Sequence, residues 1–567
     1  MFSERNTLIF LDFFFVICYT EITIKDRKDF SMKHFDSFGV MIDCSRNAVP
    51  SVAGLKRFFD VISKMGYNCA MLYTEDTYEV KGEPRFGYKR GRYSVEELKE
   101  IDRYAASVGI ELIPCIQTLA HLNSIFRWGE YKRIQDIDDI LLMEDPRTET
   151  LIENMFATLS EAISSRKIHI GMDEAHNVGR GKYLDRHGLC DRYEILLRHL
   201  NRVCEIARKY GYEPMMWSDM FFRLGNKGEY YVDEPIPFSK EITDQVPADC
   251  TMVYWDYYSN QATRYDAMLE SHKNLSDKVW FAGGSWVWGG FAPHSRYSNV
   301  RNALAIPACI RHGVRNAFLT MWGDNGGECP YASALAGLMY AAALAQEMDE
   351  AEMKAKFKEI TGENYDDFLA LDLPNYVYGE SVSVGTANYS KNRLYDDPFL
   401  AMLSANTKEE VDGSIYADYA ARLHENAKKG NAEFAYLYES MACLCDVLTV
   451  KFDLGNRTRA LYAADDKDGL RVLAEKDYTK TIDLVEAFYE AYRKQWYHFN
   501  KTYGFEVQDS RLGGLMRRLK NCKEQLIAYA SGEISAIEEL KEEIIPIKDG
   551  NYPLWNLIVS ANVTGGI

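Results

Sequence analysis

Up to about residue 321 the chain alternates two hydrophobic patterns. Short, nearly continuous apolar runs of strand length occupy 39–43, 68–73, 111–116, 167–171, 214–217, 252–255, 279–282 and 317–321. Between them lie stretches with helical periodicity, for example 51–65, 94–108, 192–210 and 299–312. Apolar runs without polar alternation indicate strands covered on both faces, as in a parallel sheet wrapped by helices. Eight strand-then-helix units predict an α/β fold in which the sheet closes into a (β/α)8 TIM barrel, with side chains converging at the C-terminal strand ends. A doubly wound open sheet is the competing architecture. After about residue 341 the strand-like runs cease and amphipathic helical patterns take over, at 349–361, 408–429, 432–452, 478–503, 510–531 and 534–544. The expected organisation is an N-terminal extension of poor order over 1–35, the barrel over 36–345 and an α-helical domain over 346–567. The stripe Phe488, Tyr492, Trp496 and Phe499 reads as helix core.

Charge and composition narrow the classes. The formal net charge of −18 repels polyanions at long range, so nucleic acid is excluded as a partner. Aromatic residues reach 13%, including 38 Tyr and 9 Trp. Such rings can be core, and they also suit a sugar pocket, where the apolar face of a pyranose stacks on aromatic carbon. The 12 cysteines form no CxxC pairs and no zinc-type ligand spacing, which suggests reduced thiols in a reducing compartment. The apolar stretch 8–19 is too short to span a bilayer and lacks a cleavage site. A cytoplasmic location without stable membrane insertion is therefore expected, with weak membrane association or export left open.

The residues just past each strand carry more information. The first run leads to Arg46, the second to Glu75 and Asp76, the third to His121, and the fourth ends in Asp173 and Glu174. Next come Trp217 with Asp219, Tyr254 with Asp256, Trp286 with Trp288, and finally Trp322, Asp324 and Glu328. A helix cap accounts for any one of these. Their recurrence after all eight strands points instead to one polar, aromatic bowl. Individually, His169 also reads as a satisfied core histidine and Arg46 as a partner of Asp43. His169, Asp173 and His176 make a metal set only on a spacing that matches no established ligand motif.

Adjacent residues on an extended strand point in opposite directions, so Asp173 and Glu174 face one substrate only if the backbone turns there. Conventional retaining glycosidases need two carboxyl groups across the sugar from one another, an arrangement poorly served by sequence neighbours. Neighbours suit a substrate that supplies its own nucleophile, a 2-acetamido oxygen attacking the anomeric carbon to give an oxazolinium ion. One carboxylate, Asp173, then orients the acetamide while the longer Glu174 serves as acid and later base.

The run His169-Ile170-Gly171-Met172-Asp173-Glu174 resembles the His-x-Gly-Gly-Asp-Glu motif of glycoside hydrolase family 20, the β-N-acetylhexosaminidases. The resemblance extends over roughly residues 36–340. It matches Arg46 to a ring-hydroxyl ligand, and His121 and Trp217 to the family's His after strand three and Trp after strand five. Tyr254 and Asp256 match a Tyr-x-Asp pair whose Tyr donates to the acetamide oxygen, and Trp322 and Asp324 match a Trp-x-Glu. Asp76, His169, Trp286, Trp288 and Glu328, which also sit at strand ends, complete the candidate substrate-binding set. Met172 departs from the second glycine, Cys115 and Gln117 from acidic positions, and Asp324 from Glu, for which Glu328 is a partial substitute. Which of Trp286 and Trp288 lines the acetamide pocket is open.

The resemblance implies removal of terminal non-reducing β-linked GlcNAc or GalNAc from oligosaccharides or glycoconjugates, without metal or cofactor. A homodimer is left open. The rivals are a retaining glycosidase with a carboxylate nucleophile, a non-catalytic glycan-binding barrel and a metal-dependent hydrolase.

Overall fold

The computed structural model describes residues 32–324, 326–379, 389–403 and 413–545. Eight parallel strands close into a barrel in sequence order: β1 (Ser37–Asp43), β2 (Cys69–Tyr73), β3 (Glu111–Cys115), β4 (Lys167–His169), β5 (Glu213–Trp217), β6 (Thr251–Trp255), β7 (Val279–Gly284) and β8 (Asn316–Met321). Closure comes from pairing of β1 with β8 over six positions, from Ser37 with Asn316 to Ile42 with Met321. The strands are buried along nearly their whole length, as their unbroken apolar character requires.

Helices begin where the sequence supplies caps. Ser51 accepts from the Gly54 N–H at the start of Val52–Met65, and Ser94 and Glu97 form a reciprocal capping box on Val95–Ser107. Asp191 caps Arg192–Lys209, accepting the N–H groups of Tyr193 and Glu194.

β4 is shorter than the apolar run 167–171 suggested. Its ladder with β3 retains a single register pair, Cys115 with His169. The cause is local: Gly171 and Met172 both adopt left-handed backbone, at φ of 74° and 73°, which no strand can continue through.

Past the barrel the described residues form helices, the longest being Ile415–Lys429, Ala435–Lys451, Thr479–Phe499 and Phe505–Ser531. The helix expected over 408–429 starts only at Ile415, after Gly413 at φ 81°, and residues 408–412 lie outside the described set. The helix expected over 534–544 is reduced to the single turn Glu538–Leu540, after the preceding helix ends at Gly532 with φ 81°. The helices Leu454–Ala463 and Lys467–Leu473 were not apparent from periodicity. Most of the extension expected over 1–35 also lies outside the described residues, and Met32 and Phe35, at its end, are buried.

The stripe Phe488, Tyr492, Trp496 and Phe499 is buried. It seats the helix Thr479–Phe499 on the barrel. Phe291, from the loop after β7, packs edge-on against Phe488 and Tyr492 at 5.2 Å each, while Phe499 meets Phe58 at 6.1 Å and Tyr331 at 6.0 Å. Backbone closes the same seam, the Ser51 N–H donating to the Phe499 carbonyl at 2.9 Å.

Candidate active site

The turn that the two carboxylates require is present. After β4, Gly171, Met172 and Glu174 are all left-handed, so side chains that a strand would send apart enter one cavity. A single imidazole nitrogen, His121 Nε2, lies 3.2 Å from Asp173 Oδ2 and 3.9 Å from Glu174 Oε2. Each non-glycine residue in that region costs on the order of 1 kcal/mol, and neighbouring side chains hold the shape. The Met172 N–H donates to Gln117 Oε1 at 3.2 Å and the Glu174 N–H to Asp219 Oδ2 at 3.1 Å.

Gln117 explains its own departure from an acidic position. Its Nε2 donates to Asp173 Oδ1 at 2.7 Å and to the Tyr73 hydroxyl at 2.9 Å while its oxygen accepts from Met172. Only an amide both donates and accepts in this way; a carboxylate would face Asp173 acceptor to acceptor. Gly171 is equally constrained, since a Cβ there would sit 2.0 Å from Gln117 Oε1.

The two carboxyl groups occupy unlike surroundings. The Asp173 side chain is 11% exposed and that of Glu174 is 43% exposed. Burial by itself pushes the Asp173 carboxyl up, but the His121 charge and hydrogen bond, with Gln117, hold it below the ordinary value. Burial likewise works against charge on His121, yet Asp173 and Glu75 pull its pKa up to about 10. The pair is therefore imidazolium and carboxylate at neutral pH. Asp219 is pushed up to about 7 by burial and then by the charge of Asp173, with Arg223 opposing. Arg223 reaches both acids, Nε lying 3.0 Å from Asp219 Oδ2 and Nη2 3.7 Å from Glu174 Oε1. Asp324 is raised to about 6 by burial against the pull of Arg46.

Of the residues expected from sequence, Arg46, His121, Asp173, Glu174, Trp217, Trp288, Trp322 and Asp324 line one cleft at the C-terminal strand ends. Trp217 and Trp322 lie 6.1 Å apart in it, and Tyr73 meets Trp322 edge-on at 4.7 Å.

Five expectations are corrected, and the choice between Trp286 and Trp288 is resolved. Asp76 turns away and is held by Arg90 Nε at 2.8 Å. His169 is a core residue: its ring lies against Trp217 at 4.3 Å, Nδ1 accepts from the Gly171 N–H, and burial pushes its pKa down to about 3. Tyr254 is buried between His272 and Phe281 and donates to Asp256 Oδ2 at 2.8 Å. Asp256 in turn accepts the N–H groups of Tyr258 and Ser259, so this pair braces the loop after β6 rather than facing the cleft. Trp286 stacks behind Trp288 at 4.2 Å and donates to the Tyr257 carbonyl, leaving Trp288 as the ring of the two that lines the cleft. Glu328 is tied to Lys391 and Arg511 of the helical region and contributes nothing to the cleft wall.

Sequence reasoning passed over Tyr73, Trp255, Tyr257 and Tyr258, all of which line the cleft. A signal existed in the four-ring cluster Tyr254-Trp255-Asp256-Tyr257-Tyr258, of which all but Tyr254 and Asp256 line the cleft. Among the described residues, no group of three or more His, Cys, Asp or Glu is arranged to hold a metal ion.

A closed parallel barrel with paired carboxylates, cations and aromatic rings at its C-terminal mouth defines a glycoside hydrolase. The chain belongs to glycoside hydrolase family 20: residues 35–270 match the "Glycosyl hydrolase family 20, catalytic domain" and residues 366–554 the "Glycoside Hydrolase 20C C-terminal domain". It is similar to hexosaminidase D of Bos taurus, 25% identical over 304 residues, covering 52% of this chain and 80% of that protein. It is also similar to hexosaminidase D of Homo sapiens, 23% identical over 221 residues, covering 37% and 43% respectively. Among solved structures, it aligns with the exo β-N-acetylglucosaminidase of Vibrio harveyi at a TM-score of 0.43 and 17% identity, over 59% of this chain and 58% of that one.

Proposed function

We propose that this hydrolase is an exo-acting β-N-acetylhexosaminidase that removes terminal β-linked GlcNAc or GalNAc through an oxazolinium intermediate. The observation that carries this reading is the division of labour between Asp173 and Glu174. One is sheltered, kept ionised by an imidazolium and fixed by an amide; its neighbour is open to the cleft.

A group that orients an acetamide N–H and stabilises positive charge on the ring must stay ionised and must not swing. Asp173 meets both conditions, and each of its oxygens retains a lone pair beyond those given to Gln117 and His121. Glu174 has the reach and the freedom to protonate the leaving oxygen and later deprotonate water. Arg46 and Asp324 offer a donor and an acceptor for ring hydroxyls, and Trp217, Trp288 and Trp322 supply apolar faces. Tyr257 and Tyr258 take the place of Tyr254 as the phenols beside the acetamide.

The direct test compares aryl β-GlcNAc, β-GalNAc and β-glucoside, with NMR assignment of the first-formed anomer. Turnover of the acetamido sugars alone, with retention, is the expected result; equal turnover of the glucoside indicates a conventional nucleophile, and inversion rules out the mechanism. Glu174→Gln is expected to lower kcat by about 10²–10⁴, most for poor leaving groups. Asp173→Asn is expected to lose a comparable amount regardless of leaving group.

A further inference from the structure

We infer that the helical domain is part of the substrate-recognition machinery, acting through Glu328 to fix the loop that presents Asp324. This rests on the reading of the cleft as a hexosaminidase site.

The segment after β8 turns sharply. The N–H groups of Gly326 and Gly327 both donate to the Gly323 carbonyl, and the Gly323 N–H donates to Asp43 Oδ2 at 2.9 Å. Gly327, at φ 64°, lies so close to the loop after β1 that a Cβ would meet Ala48 at 2.4 Å. The barrel therefore secures the near end of the turn. Its far end is secured from outside the barrel.

Glu328 accepts from Lys391 Nζ at 2.5 Å through one oxygen and from Arg511 Nη1 at 2.7 Å through the other. Its carbonyl accepts from the Tyr492 hydroxyl at 3.1 Å. These partners come from three helices of the C-terminal region: Tyr389–Tyr395, Phe505–Ser531 and Thr479–Phe499. The Glu328 and Lys391 side chains are each 1% exposed, so the pair is formed away from solvent, with no water to substitute for a missing partner. Arg511 also covers the turn itself, since a Cβ on Gly326 would lie 2.9 Å from its Nη1.

Three residues separate this clamp from Asp324, whose carboxylate lies in the cleft beside Arg46. A carboxylate that selects among sugar hydroxyls works only if its position is fixed to a fraction of an ångström. An unclamped, glycine-rich turn would not supply that. Glu328 and Lys391 are thus positioning residues, and the contact between the domains sets how the sugar's hydroxyls are read.

The test uses the full chain with the paired substitution Glu328→Gln and Lys391→Met, which removes both charges together. Asp397→Asn, which breaks an ion pair to Arg518 within the helical region, controls for general destabilisation. The clamp variant is expected to raise KM by about tenfold while kcat changes less, and to alter the GlcNAc-to-GalNAc ratio of kcat/KM; the control leaves that ratio as in wild type. Hydrogen exchange in peptides spanning 322–330 is expected to accelerate in the clamp variant alone, with the barrel strands unchanged. Wild-type ratio together with wild-type exchange at 322–330 overturns the inference. Faster exchange in a protein that hydrolyses neither sugar leaves the clamp standing and removes the hexosaminidase reading instead. If the paired variant fails to fold, Arg511→Lys, which keeps the charge but not the reach, is expected to give the same changes in weaker form, and an unchanged ratio and exchange there overturns the inference equally.

Discussion

At the scale of residues, the site depends on a few groups whose surroundings oppose their ordinary behaviour. Asp219 holds its proton to about pH 7, whereas an ordinary carboxyl releases it near 3.8. The native state thus binds more protons than the unfolded chain across that interval, and stability falls as pH rises through it. Asp219→Asn keeps an acceptor for the Glu174 N–H and removes the titration, so the decline in Tm between pH 4 and 7 is expected to become shallower. His121 acts in the opposite interval. Its stabilising charge is fully present below pH 6.5 and is lost as pH rises towards 10, so Tm is expected to fall over that range in wild type and not in His121→Ala. Gly171→Ala is expected to cost about 1–3 kcal/mol and most of the activity, because the new methyl must displace the amide that positions Asp173. Urea denaturation and turnover assays check this. The site was only partly legible at this scale. Side-chain chemistry singled out Asp173, Glu174, Arg46 and His121, which the fold brings into one cleft, but Tyr254 ends up on β6 facing the core while Tyr257, in the loop beyond, reaches the cleft. Composition carries no record of that.

At the scale of elements, the strands and capped helices were legible because local signals and burial agree. Eight apolar runs mark eight strands to within two residues at either end, and Ser51, Ser94 and Asp191 mark helix starts. Agreement fails where tertiary demands intervene. β4 stops early for the sake of the turn at Gly171, and the run 534–544 has helical periodicity but comes after a glycine stop. The stripe on Thr479–Phe499 was readable as core, while its docking surface on the barrel was not, since Phe291 and Phe58 lie far away in sequence. Phe488→Ala is expected to destabilise by about 3–5 kcal/mol, because the ring is fully buried between domains. Calorimetry or urea titration measures the loss. The same substitution is expected to lower thermal stability more than Tyr489→Ala on the neighbouring, partly exposed position.

At the scale of the whole molecule, barrel and helical region share an apolar boundary and a buried ionic contact, so neither is finished without the other. A chain ended at residue 345 would expose Phe291, Phe58 and Tyr331, which now meet the aromatic stripe. Such a fragment is expected to bind a hydrophobic dye and to aggregate in sedimentation runs, whereas the full chain does neither. The two matched family regions fall on either side of this boundary.

The brevity of β4 has one more consequence. With a single register pair to β3, the sheet is least stitched where the acids emerge, and side chains take over the sewing: Thr118 Oγ1 donates to the Ile170 carbonyl at 2.8 Å and Gln117 accepts from Met172. The backbone adds one more bond at this joint, the Ile116 N–H donating to the His169 carbonyl at 2.8 Å. The acids are thus held less by the ladder than by the side chains of one neighbouring loop, Gln117 on Asp173 and Thr118 on the strand end.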